Sequence, residues 1–282
     1  MRWLTLPLLL AIAILAHGYA EAIRMPVVRR AGFAMPQWPA GAPPMRVMLI
    51  SDLHVIGPDT PPGRLAMVVD RINALQPDLV LIAGDFLSYR DFASQHYPPA
   101  QSVAPLAGLR APLGVVAVLG NHDYDVRGKT ILPPFLARVG VTLLRNQAVR
   151  RGALTIAGGD DFHPGHFIPS ELDAAADALP GPRVLLTHSP DPAVPLGARY
   201  PVVLAGHTHC GQIVLPFFGA KAPGSAYGDR YRCGLIRRGG RVFVVTGGIG
   251  TSVVPFRWGA SPDLWLLTFS GRGAPIAAAA AR

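Results

Sequence analysis

The sequence predicts a mixed α/β sandwich formed by one large domain. The 282-residue chain is 50% hydrophobic and 15% charged, a balance typical of a compact protein with a buried core and not of a disordered chain. Apolar runs of strand length recur along it; helical stretches separate the early runs, whereas turns join the later ones. This order favours a sandwich over a barrel, and the absence of a Ser/Gly-rich linker in the middle favours a single domain.

Eight apolar runs are predicted to be buried strands because they lack the alternation of a half-exposed strand. They are 46–50, 79–83, 115–119, 154–157, 184–186, 202–205, 242–246 and 264–269. Two stretches are predicted to be helices. Arg64–Leu75 places its apolar residues on one helical face, and Leu172–Leu179 is rich in alanine.

The N-terminus, residues 1–22, differs in kind from the rest. Trp3–Ala16 is an unbroken apolar run that belongs in or across a membrane. It is shorter than the roughly 20 residues that span a hydrocarbon core, but extension to Ala20 nearly suffices. We predict an uncleaved anchor of open orientation. A cleaved signal peptide is the alternative, because Gly18-Tyr19-Ala20 and Ala20-Glu21-Ala22 each resemble a cleavage site.

Three further segments follow the anchor. Residues 23–44, rich in Pro and Ala without a clear period, are predicted to be an extended tether. Residues 45–270 form the predicted domain, and residues 271–282 a flexible tail.

The net charge and the cysteines leave alternatives open. The formal charge of +9 comes almost wholly from arginine, which suits an anionic partner such as phosphate or acidic lipid and equally reflects genomic base composition. Two cysteines, Cys210 and Cys233, cannot form a disulfide-rich scaffold. We expect buried, unpaired thiols; a bridge between them would require an oxidising compartment.

Polar motifs follow five of the predicted strands, where α/β folds assemble their sites. The motifs are S-D-L-H, G-D-F, G-N-H-D, T-H-S and G-H-T-H, which supply Asp52, His54, Asp85, Asn121, His122, Asp123, His188, His207 and His209. Any one motif alone is weak evidence. Apart from His122 and Asp123, these residues offer two carboxylates, one amide and four imidazoles, a ligand set that suits Mn²⁺, Zn²⁺ or Fe and that would be costly to bury unpaired.

The ordered set D-x-H, G-D, G-N-H-D, H and G-H-x-H resembles that of the calcineurin-like metallophosphoesterase superfamily, over about residues 46–269. The resemblance implies a four-layer α-β-β-α sandwich of two mixed sheets with a dinuclear site at the strand ends. It implies two divalent ions and a metal-bridging hydroxide that attacks phosphorus. The implied ligands are Asp52, His54, Asp85 and His209 for one ion, and Asp85, Asn121, His188 and His207 for the other.

The same resemblance gives His122 the role of general acid or fixed positive charge at the leaving group, with Asp123 as its orienting partner. In the alternative, His122 only packs and Asp123 only caps a turn.

The apolar N-terminus, G-H-T-H-C-G-Q and T-G-G-I-G-T-S look like the membrane-associated bacterial branch of the superfamily. That branch includes enzymes that cleave UDP-2,3-diacylglucosamine in lipid A biosynthesis, so a phosphorylated small molecule or glycolipid is the expected substrate. The branch commonly has Gly at the position of Cys210. Substrate selection would fall to residues 216–232, which mix aromatic and cationic side chains, while Val253–Phe256 would form an acyl-facing rim or close the core.

Other functions make other demands on these residues. A general phosphodiesterase or phosphomonoesterase of the cell envelope uses the same ligands. A nuclease would need a long basic groove, which is not evident, so no nucleic-acid partner is expected. A non-catalytic metal-binding scaffold would be marked by loss of a ligand or of His122, and none is lost. The expected location is the bacterial inner membrane, facing either side, or alternatively the periplasm.

Overall fold

The computed structural model describes residues 2–162, 165–220, 222 and 224–271, and for residues 2–5 only the backbone. The helices in this part of the chain are α1 (Arg2–Ile23), α2 (Pro62–Ala74), α3 (Pro99–Val103), α4 (Pro133–Arg138) and α5 (Pro169–Asp177). The strands are β1 (Val27–Ala34), β2 (Met45–Ile50), β3 (Leu79–Ala83), β4 (Val115–Val118), β5 (Val141–Leu143), β6 (Gln147–Arg151), β7 (Leu154–Gly158), β8 (Arg183–Leu186), β9 (Val202–Ala205), β10 (Val214–Leu215), β11 (Gly219–Ala220), β12 (Gly234–Arg238), β13 (Arg241–Val245) and β14 (Asp263–Ser270). Short 3-10 helices occupy several of the loops.

Twelve of these strands form two mixed sheets of six. The first sheet has the order β1-β14-β2-β3-β4-β5, in which β2 to β5 are parallel to one another and β14 is antiparallel to β2. The second has the order β12-β13-β9-β8-β7-β6, in which the four central strands are parallel and the two edge strands antiparallel. Strands β10 and β11 form a separate small hairpin.

The sheets pack face to face, with helices outside. Leu49 and Leu81 of the first sheet share one buried cluster with Ile156 and Leu204 of the second. The opposite face of the first sheet is covered by α2, and the opposite face of the second by α5. The predicted four-layer α-β-β-α sandwich of two mixed sheets is confirmed.

The segment that the sequence predicts to be a tether contains a strand of the sandwich. β1 is extended, as expected, but pairs in parallel register with β14 from Val27 opposite Asp263 to Ala34 opposite Ser270. Its partner lies more than two hundred residues away in sequence, and its arginines obscure the apolar pattern of a strand. The predicted tail lies outside the described residues apart from Gly271.

Helix α1 is long and apolar enough, from Leu6 to Ile23, to cross a membrane by length and composition, with a mean hydropathy of 1.8; a signal sequence would meet the same criterion. Its C-terminal end rests on the sandwich. The guanidinium of Arg64 donates hydrogen bonds to the carbonyls of Ala22, Ile23 and Arg24. Apolar side chains nearer the N-terminus of α1 are largely exposed.

Candidate metal centre

The predicted site residues lie in the loops that follow β2, β3 and β4 of one sheet and β8 and β9 of the other. Each group of strands is parallel, so its C-terminal ends lie at one edge of its sheet. The two edges meet: Asp85 Oδ2, from the first sheet, lies 3.3 Å from His188 Nε2, from the second.

Four side chains form a first cluster of donor atoms. His54 Nε2 lies 3.2 Å from His209 Nε2 and 3.3 Å from Asp85 Oδ2. Asp52 Oδ1 lies 3.4 Å from His209 Nε2 and 4.0 Å from His54 Nε2. Such spacing fits donors around one cation.

A second cluster adjoins the first. His188 Nε2 lies 3.0 Å from Asn121 Oδ1, 3.2 Å from His207 Nδ1 and 3.3 Å from Asp85 Oδ2. Asp85 Oδ2 is therefore equally distant from an imidazole of each cluster. All seven residues predicted to ligate metal are brought together at this meeting of the two sheets.

The donor atoms suit a metal because hydrogen bonds fix the tautomers of two imidazoles. His54 Nδ1 lies 3.1 Å from the carbonyl oxygen of Leu87, and His188 Nδ1 lies 2.7 Å from that of Ala83. A carbonyl can only accept, so each Nδ1 carries the proton, and in the neutral ring Nε2 directs a lone pair into the centre. These residues fit bound divalent cations.

Burial and mutual charge set the protonation of the centre in its metal-free form. Burial lowers the pKa of His54 to about 3 and holds that of His209 well below 6.5. Burial also lowers the pKa of His188, but the negative charge of Asp85 has the larger combined effect and raises that pKa to about 10. In turn, His188 holds the pKa of Asp85 well below 3.8 despite burial. Burial, with the charge of Asp85 adding to it, raises the pKa of Asp52 to about 6. Without metal, a proton on His188 supplies the positive charge that Asp85 faces.

His122 is half-buried beside these clusters, with its ring centroid 4.9 Å from that of His54. Its main-chain N–H, not its ring, donates to Asp85 Oδ1 at 2.9 Å. The ring is therefore not needed to place Asp85.

Asp123 makes different contacts from those predicted. Its Oδ1 accepts the amides of Phe86 and Leu87 at 2.8 and 3.1 Å, and its Oδ2 accepts the amide of Gly120 at 2.9 Å. The predicted pairing with the His122 ring does not occur among the described contacts; the carboxylate instead joins the loops after β3 and β4. Burial, followed by the charge of Asp85, raises the pKa of Asp123 to about 8.

Left-handed backbone at the candidate ligands shows how tightly the loops turn. Positive φ angles occur at Asp52, His54, Asp85, His207 and His209. For residues other than glycine this conformation is uncommon and concentrates at functional sites, where the surrounding structure holds it.

The segment 246–252, for which no site role was predicted, packs directly on the centre. A Cβ at Gly248 would lie 2.5 Å from Asp52 Cβ, and one at Gly250 would lie 2.8 Å from His54 Cβ. The buried guanidinium of Arg257 donates to the carbonyls of Gly247 and Gly250 and so holds this loop. In the sequence, the repeated glycines of T-G-G-I-G-T-S were the signal that could have indicated this close packing.

The expectation of unpaired thiols is wrong, because Cys210 and Cys233 form a disulfide with Cα atoms 4.7 Å apart. The bridge joins the residue after His209 to the start of β12 and closes the loop that contains the β10–β11 hairpin. Free thiols were expected because they are the more ordinary state of two cysteines when the sequence leaves the redox compartment open.

Comparisons with known proteins agree with this geometry. Residues 45–211 match the family described as calcineurin-like phosphoesterase. The chain is 32% identical to YkuE, described as an uncharacterized metallophosphoesterase, of Bacillus subtilis, over 82% of this chain and 80% of that protein. It is 29% identical to the UDP-2,3-diacylglucosamine pyrophosphatase LpxG of Chlamydia trachomatis, over 76% and 78% respectively. It is also 29% identical to a zebrafish (Danio rerio) transmembrane protein with metallophosphoesterase domain, over 91% of this chain and 60% of that protein. The chain belongs to the calcineurin-like phosphoesterase family and is a metal-dependent phosphohydrolase.

Proposed function

We propose that this chain is a membrane-associated hydrolase of phosphoesters or pyrophosphates that uses two divalent ions. The observation that carries the proposal is the position of Asp85 Oδ2, at 3.3 Å from both His54 Nε2 and His188 Nε2. A carboxylate so placed suits two cations about 3.5–4 Å apart. Asp52, His54 and His209 would complete one site, and Asn121, His188 and His207 the other.

The chemistry divides between the ions and the protein. When bound, two cations would acidify a bridging water to hydroxide and neutralise the phosphate oxygens. His122 would donate a proton or present a positive charge to the departing oxygen. Asp123 would keep the loops that carry Asp85 and Asn121 in place through the amides of Phe86, Leu87 and Gly120.

Helix α1 would hold the enzyme at the membrane. Its exposed apolar surface, its length and the name of the zebrafish relative support an anchor. Its docked C-terminal end favours an uncleaved segment, because cleavage near Ala20 would remove Gly18, whose carbonyl accepts the amide of Arg257 at 3.0 Å.

UDP-2,3-diacylglucosamine is the first substrate to test, on the strength of the Chlamydia relative. The full chain should be purified, loaded with Mn²⁺, Zn²⁺ or Fe²⁺ in turn, and supplied with this glycolipid. Release of UMP and the acylated sugar phosphate is expected. Hydrolysis of simple phosphodiesters without turnover of the glycolipid would reject this substrate and retain the reaction class.

The disulfide favours a second candidate, a phosphodiesterase or phosphomonoesterase of the cell envelope. Disulfides persist in oxidising spaces and are rare where thiols are kept reduced. The domain would then face the periplasm or cell exterior and act on a lipid phosphoester there. An alkaline phosphatase fusion to the C-terminus reports the side: activity supports the envelope enzyme, and inactivity supports the enzyme of lipid A biosynthesis.

A further inference from the structure

An apolar groove adjoins the candidate metal centre. Its volume is about 410 Å³, within the size range of small-ligand sites. His207 and His209 line it together with the apolar side chains of Ile213, Val253 and Val254. The groove and the candidate centre therefore share two side chains, and a molecule in the groove would lie directly beside any phosphate held at the centre.

One wall of the groove is formed by a loop that also contacts helix α1. Gln212 Nε2 donates to the carbonyls of Val254 and Phe256 at 2.9 and 3.1 Å and holds the loop against the groove. On its other side the loop meets α1, where the ring of Trp258 lies 4.7 Å from that of His17. The groove thus lies a few residues from the point where the apolar helix leaves the domain.

The surface around the groove is apolar and exposed. Val253 at its rim is 72% exposed. Exposed apolar side chains next to an apolar helix are typical of a surface that meets lipid.

We propose that the groove binds a hydrocarbon chain of the lipid whose phosphate is hydrolysed at the metal centre. The inference rests on the proposed function and adds the part of the substrate that this chain recognises. The acyl chain enters from the bilayer beside α1, and the groove aligns the phosphoester with His207 and His209. The enzyme therefore distinguishes lipid from water-soluble phosphoesters by this groove.

The test compares two p-nitrophenyl phosphodiesters, methyl and octyl, with the metal-loaded full chain below the micellar concentration of the octyl ester. Burial of hydrocarbon favours binding by about fourfold per methylene, so the octyl to methyl ratio of kcat/KM should exceed about 10. Val253→Glu and Val254→Glu should lower this ratio about tenfold or more, because a hydrocarbon chain in the groove would desolvate the new carboxylate. Val253 is mostly exposed, so its variant should fold even if Val254→Glu does not.

Met67→Glu is the matched control, since Met67 is an exposed apolar residue of α2 outside the groove. It should keep the wild-type ratio. Methyl-ester turnover without an octyl preference, or an unchanged ratio in Val253→Glu, would overturn the groove assignment alone. No turnover of either ester would overturn the proposed function as well. Comparing UDP-2,3-diacylglucosamine with dioctanoyl phosphatidic acid in wild type and Val253→Glu identifies which lipid supplies the chain.

Discussion

Gly120 illustrates, at the scale of the residue, how little room surrounds the candidate ligands. A Cβ there would press on Asp85 Oδ1 and lie 2.7 Å from the Asp85 amide nitrogen. The glycine of G-N-H-D is thus explained by contact with the carboxylate that would bridge the ions.

Gly120→Ala should therefore displace Asp85 and lower the bound metal, measured by elemental analysis after dialysis. Gly63→Ala is the control, because a Cβ at Gly63 in α2 meets no atom within 4 Å. Alanine there should leave the bound metal unchanged. Full metal retention in Gly120→Ala would show that the loop can move to accept the Cβ without displacing Asp85.

His122→Ala should retain metal while kcat falls by about 10² to 10⁴, the range of general acid catalysis. Metal is spared because the main-chain N–H of residue 122, which donates to Asp85, remains. Metal analysis and steady-state kinetics on one preparation give both values. A loss of metal parallel to the loss of activity would assign His122 to the ligands instead.

Metal affinity should rise with pH because His188 must lose a proton to bind a cation. Its pKa in the metal-free protein is raised to about 10, so affinity should increase up to about tenfold per unit between pH 7 and 9. Calorimetric titration with Mn²⁺ measures how metal affinity changes with pH, and an affinity that does not change would contradict this prediction.

The raised pKa also implies that the stabilisation from the His188–Asp85 pair in the metal-free protein is fully present below pH 6.5 and is lost as pH rises toward 10.

At the scale of the element, the buried strands could be predicted and the edge strands could not. All eight predicted strands exist, with β8 and β9 among them, because strands covered on both faces are continuous apolar runs. β1, β6 and β12 lie at sheet edges and carry arginines, so their sequences resemble loops. Edge pairing is decided by distant partners, which a local pattern does not contain.

The disulfide between Cys210 and Cys233 should contribute to the stability of the fold. Reduction, or Cys233→Ser, should cost about 2–4 kcal/mol, because the bridge closes a loop across a sequence separation of 23. Metal affinity should also fall, since Cys210 directly follows His209. Thermal melting with and without reductant measures the first effect and calorimetry the second. Equal melting temperatures would show that the bridge does not constrain this loop.

At the scale of the whole molecule, the site results from two sheets whose parallel strand ends meet. The chemistry of the candidate ligands could be predicted, because each follows an apolar run in a short motif. The contacts of Asp123 and the packing of Gly248 on Asp52 could not, since they depend on how distant loops approach one another. The docking of α1 likewise depends on Arg64, far away in sequence.

We propose that two cations share Asp85. Metal stoichiometry of the purified full chain, measured by inductively coupled plasma mass spectrometry for wild type and Asp85→Asn, tests this sharing. We expect about two ions per chain in the wild type and clear loss from Asp85→Asn, because both clusters include the Asp85 carboxylate. One ion or none in the active wild type, or two ions retained by Asp85→Asn, would contradict the claim.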